Sequence, residues 1–283
     1  MLNERVFTNA FMQILRCTPK YFDVTYVINP YMEAGLGNIN KTKAQEEWDA
    51  MTKIYDELDI NYHVIEGQEG FPDMVFTANA ALTFKGSNGE KSVLISNMAK
   101  DERKGESPHI EKWFREQGYQ VHKLPEYLSC SGTGDILYNA DRSFLWGGHG
   151  FRTQPETHRE VEKITGLEVK SLRLINPWFY DLDTCLTPIT PELAMANLSA
   201  FDESSQKIIK DHFKDLIELT EEEGRNFTCN SHILADKKIV IMNGRSPRVI
   251  KELENRGFKV IVSSTEEFLK AGGSVACMKM VLI

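Results

Sequence analysis

The sequence predicts an α/β fold: a closed ring of five repeated modules, each a β-hairpin, a helix and a further strand, with hairpins inside and helices outside. Three observations predict it. The hydrophobic period switches repeatedly between about 2 and about 3.6 residues, always in the same order. Turn and helix-capping residues recur at the same places in successive copies. The two ends of the chain each supply part of a fifth copy, so the termini close the ring. A chain of 283 residues can bury a full core, and no linker or low-complexity stretch divides it. A single domain over residues 1–283 is expected.

In chain order, the first strand, Phe11 to Leu15, is expected to pair with Ala276 to Ile283. A helix from Thr42 to Leu58 follows, with Ala44, Trp48, Met51, Tyr55 and Leu58 as its apolar stripe, and then the strand Tyr62-His63-Val64. The clearest module starts at Ala81-Leu82-Thr83-Phe84, turns at Ser87-Asn88-Gly89 and returns as Ser92-Val93-Leu94-Ile95; the Asn-Gly pair supplies the positive φ of a tight hairpin. Ser107 is expected to cap its helix, Pro108 to occupy the first turn, Ile110, Trp113 and Phe114 to face the core, and Gly118 to end it before Tyr119-Gln120-Val121. The next pairs Ile136-Leu137-Tyr138 with Ser143-Phe144-Leu145-Trp146, then a helix from Glu156 to Ile164, Gly166, and a strand from Val169 to Ile175. A less regular copy runs from Asp183 to Leu186, back through Leu193 to Leu198, into a helix from Glu203 to Phe213 and a strand at Leu216-Ile217. The last complete copy pairs Ser231 to Leu234 with Ile239 to Met242; Ser246-Pro247 opens its helix and Gly257 closes it before Val260-Ile261-Val262.

Charge narrows the function classes. Lys+Arg 33 against Asp+Glu 41 gives a net charge of -8, which argues against nucleic-acid partners and polybasic membrane anchoring. No apolar run approaches the roughly 20 residues of a bilayer span, and the first residues lack an apolar signal region, so a cytoplasmic protein is expected. The five cysteines form no C-x-x-C pair and are expected to be reduced thiols. The seven histidines lack zinc spacing, and no glycine loop has the pattern that cradles phosphate, so no metal or cofactor is expected.

In a closed ring the site belongs at the hub, where hairpin ends converge with polar residues that a core would not hold. Such residues are Asn29, Asp73, Asp135, Arg152, Asp181, Asp183 and Cys277. Several acids, an arginine and a thiol suit a cationic substrate with an anionic end, attacked by sulfur.

The same segments carry a family resemblance. Pro72-Asp73-Met74-Val75-Phe76-Thr77-Ala78-Asn79, Gly132-Thr133-Gly134-Asp135, Phe151-Arg152-Thr153, Phe179-Tyr180 with Leu182-Asp183-Thr184, and Gly272-Gly273-Ser274-Val275 with Cys277 resemble the guanidino-group-modifying enzymes. That superfamily includes dimethylarginine dimethylaminohydrolase, arginine deiminase and the amidinotransferases, and shares a pseudo-fivefold, five-module α/β propeller, the pentein fold. The segment Tyr21 to Pro30 resembles the arginine dihydrolase branch.

The resemblance implies that Cys277 attacks the guanidinium carbon as a thiolate, expels ammonia or an amine, and leaves a thiouronium that water cleaves. Asp73, Asn79 and Asp183 fall at positions that hold the guanidino or ureido group. Arg152 matches the arginine that forks onto the α-carboxylate, Arg103 a second such arginine, and Asn29 another substrate-binding position. Asp135 orients either the loop or the substrate. His149 and His232 read as turn or core histidines, and Cys17, Cys130, Cys185 and Cys229 as core. The chain departs from the pattern at two places: the family histidine is Asp181, and its acidic partner is Ser131. An ionised Asp181 beside Cys277 would raise the thiol pKa. In an active enzyme the acid/base work at the catalytic positions Asp181 and Ser131 is expected to fall to Asp181 itself, or to His149 or His232 folded into the hub.

The expected activity is a cysteine-dependent hydrolase of the guanidino or ureido group of an arginine-like amino acid: arginine, citrulline or a methylarginine. The alternatives are a catalytically impaired member that binds an amino acid, and an amidinotransferase. A homo-oligomer is compatible with all three.

Overall fold

The computed structural model describes residues 13–283, so Phe11, in the predicted first strand, lies outside the described residues. The strands are β1 Gln13–Cys17, β2 Asn61–Ile65, β3 Ala81–Lys85, β4 Lys91–Ile95, β5 Gln120–Lys123, β6 Ile136–Tyr138, β7 Leu145–His149, β8 Val169–Arg173, β9 Leu186–Pro188, β10 Leu193–Ala196, β11 Asp215–Glu218, β12 His232–Leu234, β13 Ile239–Met242, β14 Lys259–Val262 and β15 Met280–Leu282. They form five three-stranded sheets, β15-β1-β2, β3-β4-β5, β6-β7-β8, β9-β10-β11 and β12-β13-β14. In every sheet the middle strand pairs antiparallel with one neighbour and parallel with the other. The expected pairing of the chain ends is present, with Gln13 opposite Leu282 and Leu15 opposite Met280.

A parallel pair needs a long crossover. Each sheet has one long helix there: α1 Lys41–Glu57, α2 Ser107–Glu116, α3 Pro155–Thr165, α4 Glu203–His212 and α5 Pro247–Asn255; four-residue helices at Met32–Gly35 and Asp101–Lys104 precede the first two. Burial follows the same division. The middle strands β10 and β13 are buried at every position, whereas the third strands β5 and β14 are exposed at their ends and only half-buried between. Strands covered on both faces read as continuous apolar runs such as Ile239 to Met242.

The helix signals hold with two corrections. Asn40 and Asp202 cap α1 and α4 by accepting from the amides of Lys43 and Ser205, at 3.0 and 2.9 Å, and Gly166 ends α3 at φ 73°. Ser107 is not a cap: it lies inside α2 and donates its hydroxyl to the Ser96 carbonyl, tying the helix start to the end of β4. Ser246 precedes α5 without a side-chain cap, because its hydroxyl pairs with that of Thr228.

Some strand boundaries also move. Asp183 and Thr184 form a 3-10 turn, since the Thr184 amide and hydroxyl both donate to the Asp181 carbonyl, and β9 starts only at Leu186. Ser143 belongs to the β6–β7 turn, where its amide and hydroxyl donate to Asp141. Ala276 to Met278 form a turn rather than strand. No helix among the described residues is long and apolar enough to cross a membrane.

Candidate active site

A tight turn precedes the first strand of each sheet, and each turn carries a polar side chain. Asn79 precedes β3, Ser131 and Asp135 flank the Gly132–Gly134 turn before β6, Asp181 and Asp183 flank Leu182 before β9, Asn230 precedes β12 and Cys277 precedes β15. Backbone and side-chain bonds stitch these turns together. The Ala78 amide donates to the Cys277 carbonyl at 3.1 Å, the Thr133 hydroxyl to the Ala78 carbonyl at 2.9 Å, and the Leu182 amide to Asp135 Oδ1 at 3.0 Å. Gly134 is required here, because a Cβ on it would lie 2.4 Å from Asn79 Nδ2.

Cys277 is 3% exposed. Its Sγ donates to Asp183 Oδ2 at 3.3 Å and accepts from Asn230 Nδ2 at 3.0 Å, while its amide donates to Asn230 Oδ1 at 3.0 Å. Burial, then the Asp183 and Asp181 carboxylates, pushes the thiol well above its ordinary value, with only a backbone bond at Ser274 prominent among the opposing causes. Asp183 is pushed up to about 8, by burial and then by the charge of Asp181. At neutral pH the thiol and the Asp183 carboxyl therefore both keep their protons.

Beside this pair lies a buried ionic cluster. Arg152 Nη1 donates to Asp181 Oδ2 at 2.9 Å and its guanidinium lies 4.2 Å over the Tyr180 ring. Asn79 Nδ2 donates both to Asp181 Oδ2 and to Ser131 Oγ, each at 3.0 Å. Arg103 forks onto Glu106 through Nε and Nη2 at 2.8 Å each, and reaches Asn79 Oδ1 at 2.8 Å and the Asp73 carbonyl at 3.1 Å. Tyr26 donates its hydroxyl to Asp73 Oδ2 at 2.9 Å. Burial raises both Asp73 and Asp181, against the pull of Arg103 and Arg152 respectively. Four buried atoms in and around the cluster have no partner: Asp73 Oδ1, Asp181 Oδ1, Asp183 Oδ1 and Arg152 Nε. Unpaired buried carboxylate oxygens are costly unless a ligand with several N–H donors completes them.

A family model described as N,N dimethylarginine dimethylhydrolase, eukaryotic, matches residues 19–283. The chain belongs to this family. It is 37% identical over 95% of its length to the bifunctional arginine dihydrolase/ornithine cyclodeaminase AgrE of Nostoc sp., and 38% identical over 95% to ArgZ of Synechocystis sp.. It spans 37% of the length of each. The N(G),N(G)-dimethylarginine dimethylaminohydrolase of Mycobacterium tuberculosis is 30% identical, over 92% of this chain and 82% of that one. Among solved structures, the N-terminal domain of ArgZ bound to substrate superposes with a TM-score of 0.90 at 36% identity, covering 95% of this chain and 97% of that domain. A variant of that domain covalently bound to a reaction intermediate superposes at 0.91, again at 36% identity, covering 96% and 98%. The fold is thus that of the arginine dihydrolase branch, α/β with several small sheets.

Within this family member the predicted residues divide. Cys277 and Asp183 form a buried pair, and Asp181, Ser131, Asn79, Arg152, Arg103 and Asp73 a hydrogen-bonded buried cluster whose Asp181 charge acts on that pair. Arg103, in a charged stretch that resembles a solvated loop, is 3% exposed. Asn29 is spent on structure: Nδ2 donates to the Ala271 carbonyl and Oδ1 accepts from the Tyr31 amide. Asp135 orders the loops, accepting from Thr153 and from the Leu182 amide. His149 is half-buried beside His158, and His232 is buried against Tyr55. Asn230, Glu106, Tyr26 and Lys279 were not singled out by the sequence. Asn230 had one available signal, its place just ahead of β12, where the other sheets also carry a polar residue.

The space beside Arg103, Ser131 and Arg152 is only about 10 Å³, close to the least that holds one water. A cavity of about 480 Å³ lies instead at the hairpin turns, lined by Asn139 to Arg142, Pro188, Ile189, Ala235 and Asp236, with Asp183 in its wall and Cys277 outside it. Among the described residues no group of three or more His, Cys, Asp or Glu is placed to hold a metal.

Proposed function

We propose that the protein hydrolyses the guanidino or ureido group of an arginine-like amino acid, with Cys277 as nucleophile. The observation that carries this reading is the thiol–carboxyl contact of Cys277 and Asp183 at 3.3 Å, beside buried carboxylate oxygens that lack partners. A planar guanidinium supplies several N–H donors in one plane, which suits the free oxygens of Asp73, Asp181 and Asp183. Its positive charge also lowers the energy of the thiolate, so ionisation of Cys277 accompanies substrate binding rather than preceding it.

Asp183 then takes over the proton work of the missing histidine. The substrate's charge draws Asp183 into its ionised form, its own proton going to solvent; the thiol proton then passes to Asp183 Oδ2, Sγ bonds to the guanidinium carbon, and the C–N bond breaks as Asp183 returns the proton to the leaving nitrogen. Water next gives a proton to Asp183 and adds to the thiouronium carbon. The C–S bond breaks and the proton returns to sulfur. Asp181 is less suited to this role, since Arg152 and Asn79 already hold its Oδ2. For the amino-acid end to reach Arg152, that guanidinium must exchange Asp181 for the substrate carboxylate. Arg103 acts at one remove, holding Asn79 and the Asp73 carbonyl in place.

Asn79, a neutral amide, also suits the uncharged ureido group of citrulline, so with two waters arginine yields ornithine, carbon dioxide and two equivalents of ammonia. Neither the amino-acid binder nor the amidinotransferase is favoured by the relatives. The five repeated sheets and their interlocked turns support a single five-module propeller, hairpins inside and helices outside, over residues 1–283. Five unpaired cysteines support a cytoplasmic setting.

The test is incubation with arginine, citrulline and methylated arginines, with products followed by mass spectrometry beside Cys277→Ala. Ornithine and ammonia from the parent and none from the variant is the expected result. Turnover that survives in Cys277→Ala overturns the covalent mechanism.

A further inference from the structure

The cavity of about 480 Å³ at the hairpin turns has Asp183 in its wall, so one carboxyl adjoins both this space and the reacting sulfur. Its two oxygens have different surroundings. Oδ2 is engaged by the Cys277 thiol at 3.3 Å, whereas Oδ1 is buried and lacks a partner. Lys279 lines the same cavity from the turn that carries the thiol, where its amide donates to the Ala276 carbonyl at 3.3 Å. The segment that seats the sulfur therefore also delivers an ammonium. Among the described residues Lys279 forms no direct ion pair, and its nearest acidic influence is Asp183. The other acids lining the cavity, Asp141 and Asp236, lie on exposed turns, and Asp141 Oδ1 is taken up by Asn139 and Ser143. An ammonium drawn out of water needs a counter-charge, and Asp183 is the buried carboxyl in this wall with an oxygen left over.

The neighbouring groups leave that role to the lysine. On the segment that carries Asp183, Asp181 opposes its ionisation, and burial keeps Tyr180 and Cys185 protonated. From the adjoining modules Cys277 and Cys229 are likewise protonated, and burial keeps His232 neutral. Arg142, in the β6–β7 turn, lies with its guanidinium 4.8 Å over the Tyr138 ring and disfavours the charged form of Lys279. Lys279 is the cation that works against Asp181 at Asp183. The effect is mutual: burial lowers the ammonium to about 8, and Asp183 pulls it back up.

We infer that Lys279 is a positioning residue of the hydrolase: from the cavity side, through Asp183 Oδ1, it favours the carboxylate that accepts the Cys277 proton at Oδ2. The inference rests on the hydrolase reading. With substrate bound, the guanidinium on one side and the ammonium on the other flank one carboxyl, and both favour its ionisation.

The test is the pH profile of kcat/KM for arginine with the full chain, in the parent, Lys279→Met, Lys279→Arg and Arg142→Gln. The acid limb of this profile reports the base of the free enzyme. Lys279→Met is expected to move that limb up by about one pH unit, the low end of what a close opposite charge does to a carboxyl. On the limb kcat/KM then falls about tenfold, while the plateau above it changes less than about threefold. Lys279→Arg is expected to restore the limb, and Arg142→Gln to leave it in place. A merely structural lysine would lower the rate by one factor at every pH. A limb that stays put in Lys279→Met overturns the inference, as does an equal displacement by Arg142→Gln. Should Lys279→Met not fold, or the parent turn nothing over, the pairing is read from the lysine. Lys279 is half-buried, so acetic anhydride can reach it, and mass spectrometry follows the pH dependence of its acetylation. The midpoint is expected to fall by about one pH unit in Asp183→Asn, because the ammonium loses its counter-charge. An unchanged midpoint overturns the inference; a shifted midpoint in a protein without turnover refutes the hydrolase reading and leaves the pairing standing.

Discussion

Asp183 is the residue on which most of the chemistry turns. Its carboxyl is raised from an unfolded value of about 4 to about 8. A group whose folded pKa is raised stabilises the fold fully below its unfolded pKa, and loses that contribution as pH rises through the folded one. Replacing it removes the titration, so the melting temperature of the parent, relative to Asp183→Asn, should fall between about pH 4 and about pH 8. A difference that stays flat across that range would show that Asp183 is ordinary. Arg152 gives the second prediction at this scale. Arg152→Gln strands Asp181, 1% exposed, without its cation at 2.9 Å. Breaking a buried pair from one side costs about 3–5 kcal/mol, measurable by urea unfolding. A loss under about 1 kcal/mol would mean that water or a neighbour already screens the pair.

At the level of elements, the loop that delivers Cys277 depends on Gly272. It sits at φ 81°, and a Cβ there would lie 2.7 Å from the Tyr180 hydroxyl oxygen and from Asn29 Oδ1. Gly272→Ala should cost about 1–3 kcal/mol in thermal or urea unfolding, and a neutral result would mean that the loop relaxes freely. Much of this architecture was legible beforehand. Asn88-Gly89 marked a hairpin, Gly166 and Gly257 marked helix ends, and β13 was found at its observed bounds, because each signal is local. What escaped was set by contacts distant in sequence. Ser107 looks like a cap until Ser96 takes its hydroxyl. Asp183 and Thr184 look like a strand start until bonds from Thr184 to the Asp181 carbonyl curl them. Arg103 reads as solvated because Glu102, Lys104 and Glu106 surround it in sequence, yet a single bidentate partner, Glu106, lets it be buried. Lys279 alternates unremarkably with apolar neighbours, and nothing local tells that it faces Asp183 across a cavity.

At the scale of the whole molecule, one sheet differs from the other four in origin. Its hairpin is made by β15 and β1, from opposite ends of the described chain. Deleting residues 280–283 takes away the antiparallel partner of β1 and exposes the core that Met280 and Leu282 share with Leu15 and Cys17. The prediction is a large fall in melting temperature together with loss of any selective reactivity of Cys277 towards alkylating agents, since the turn holding that thiol leads directly into β15. A truncated chain that melts near the parent temperature would show that the ends are ornamental.

That same pairing fixes the order in which the protein can become active. A ribosome makes the hairpins of the other four sheets as contiguous stretches of nascent chain, each able to pair as it emerges. The sheet begun by β1 waits with one edge open until Leu282 has been added. The sulfur, on the turn just ahead of β15, is the last of the reactive groups to be seated, so no nascent chain that stops short of that strand carries a finished site.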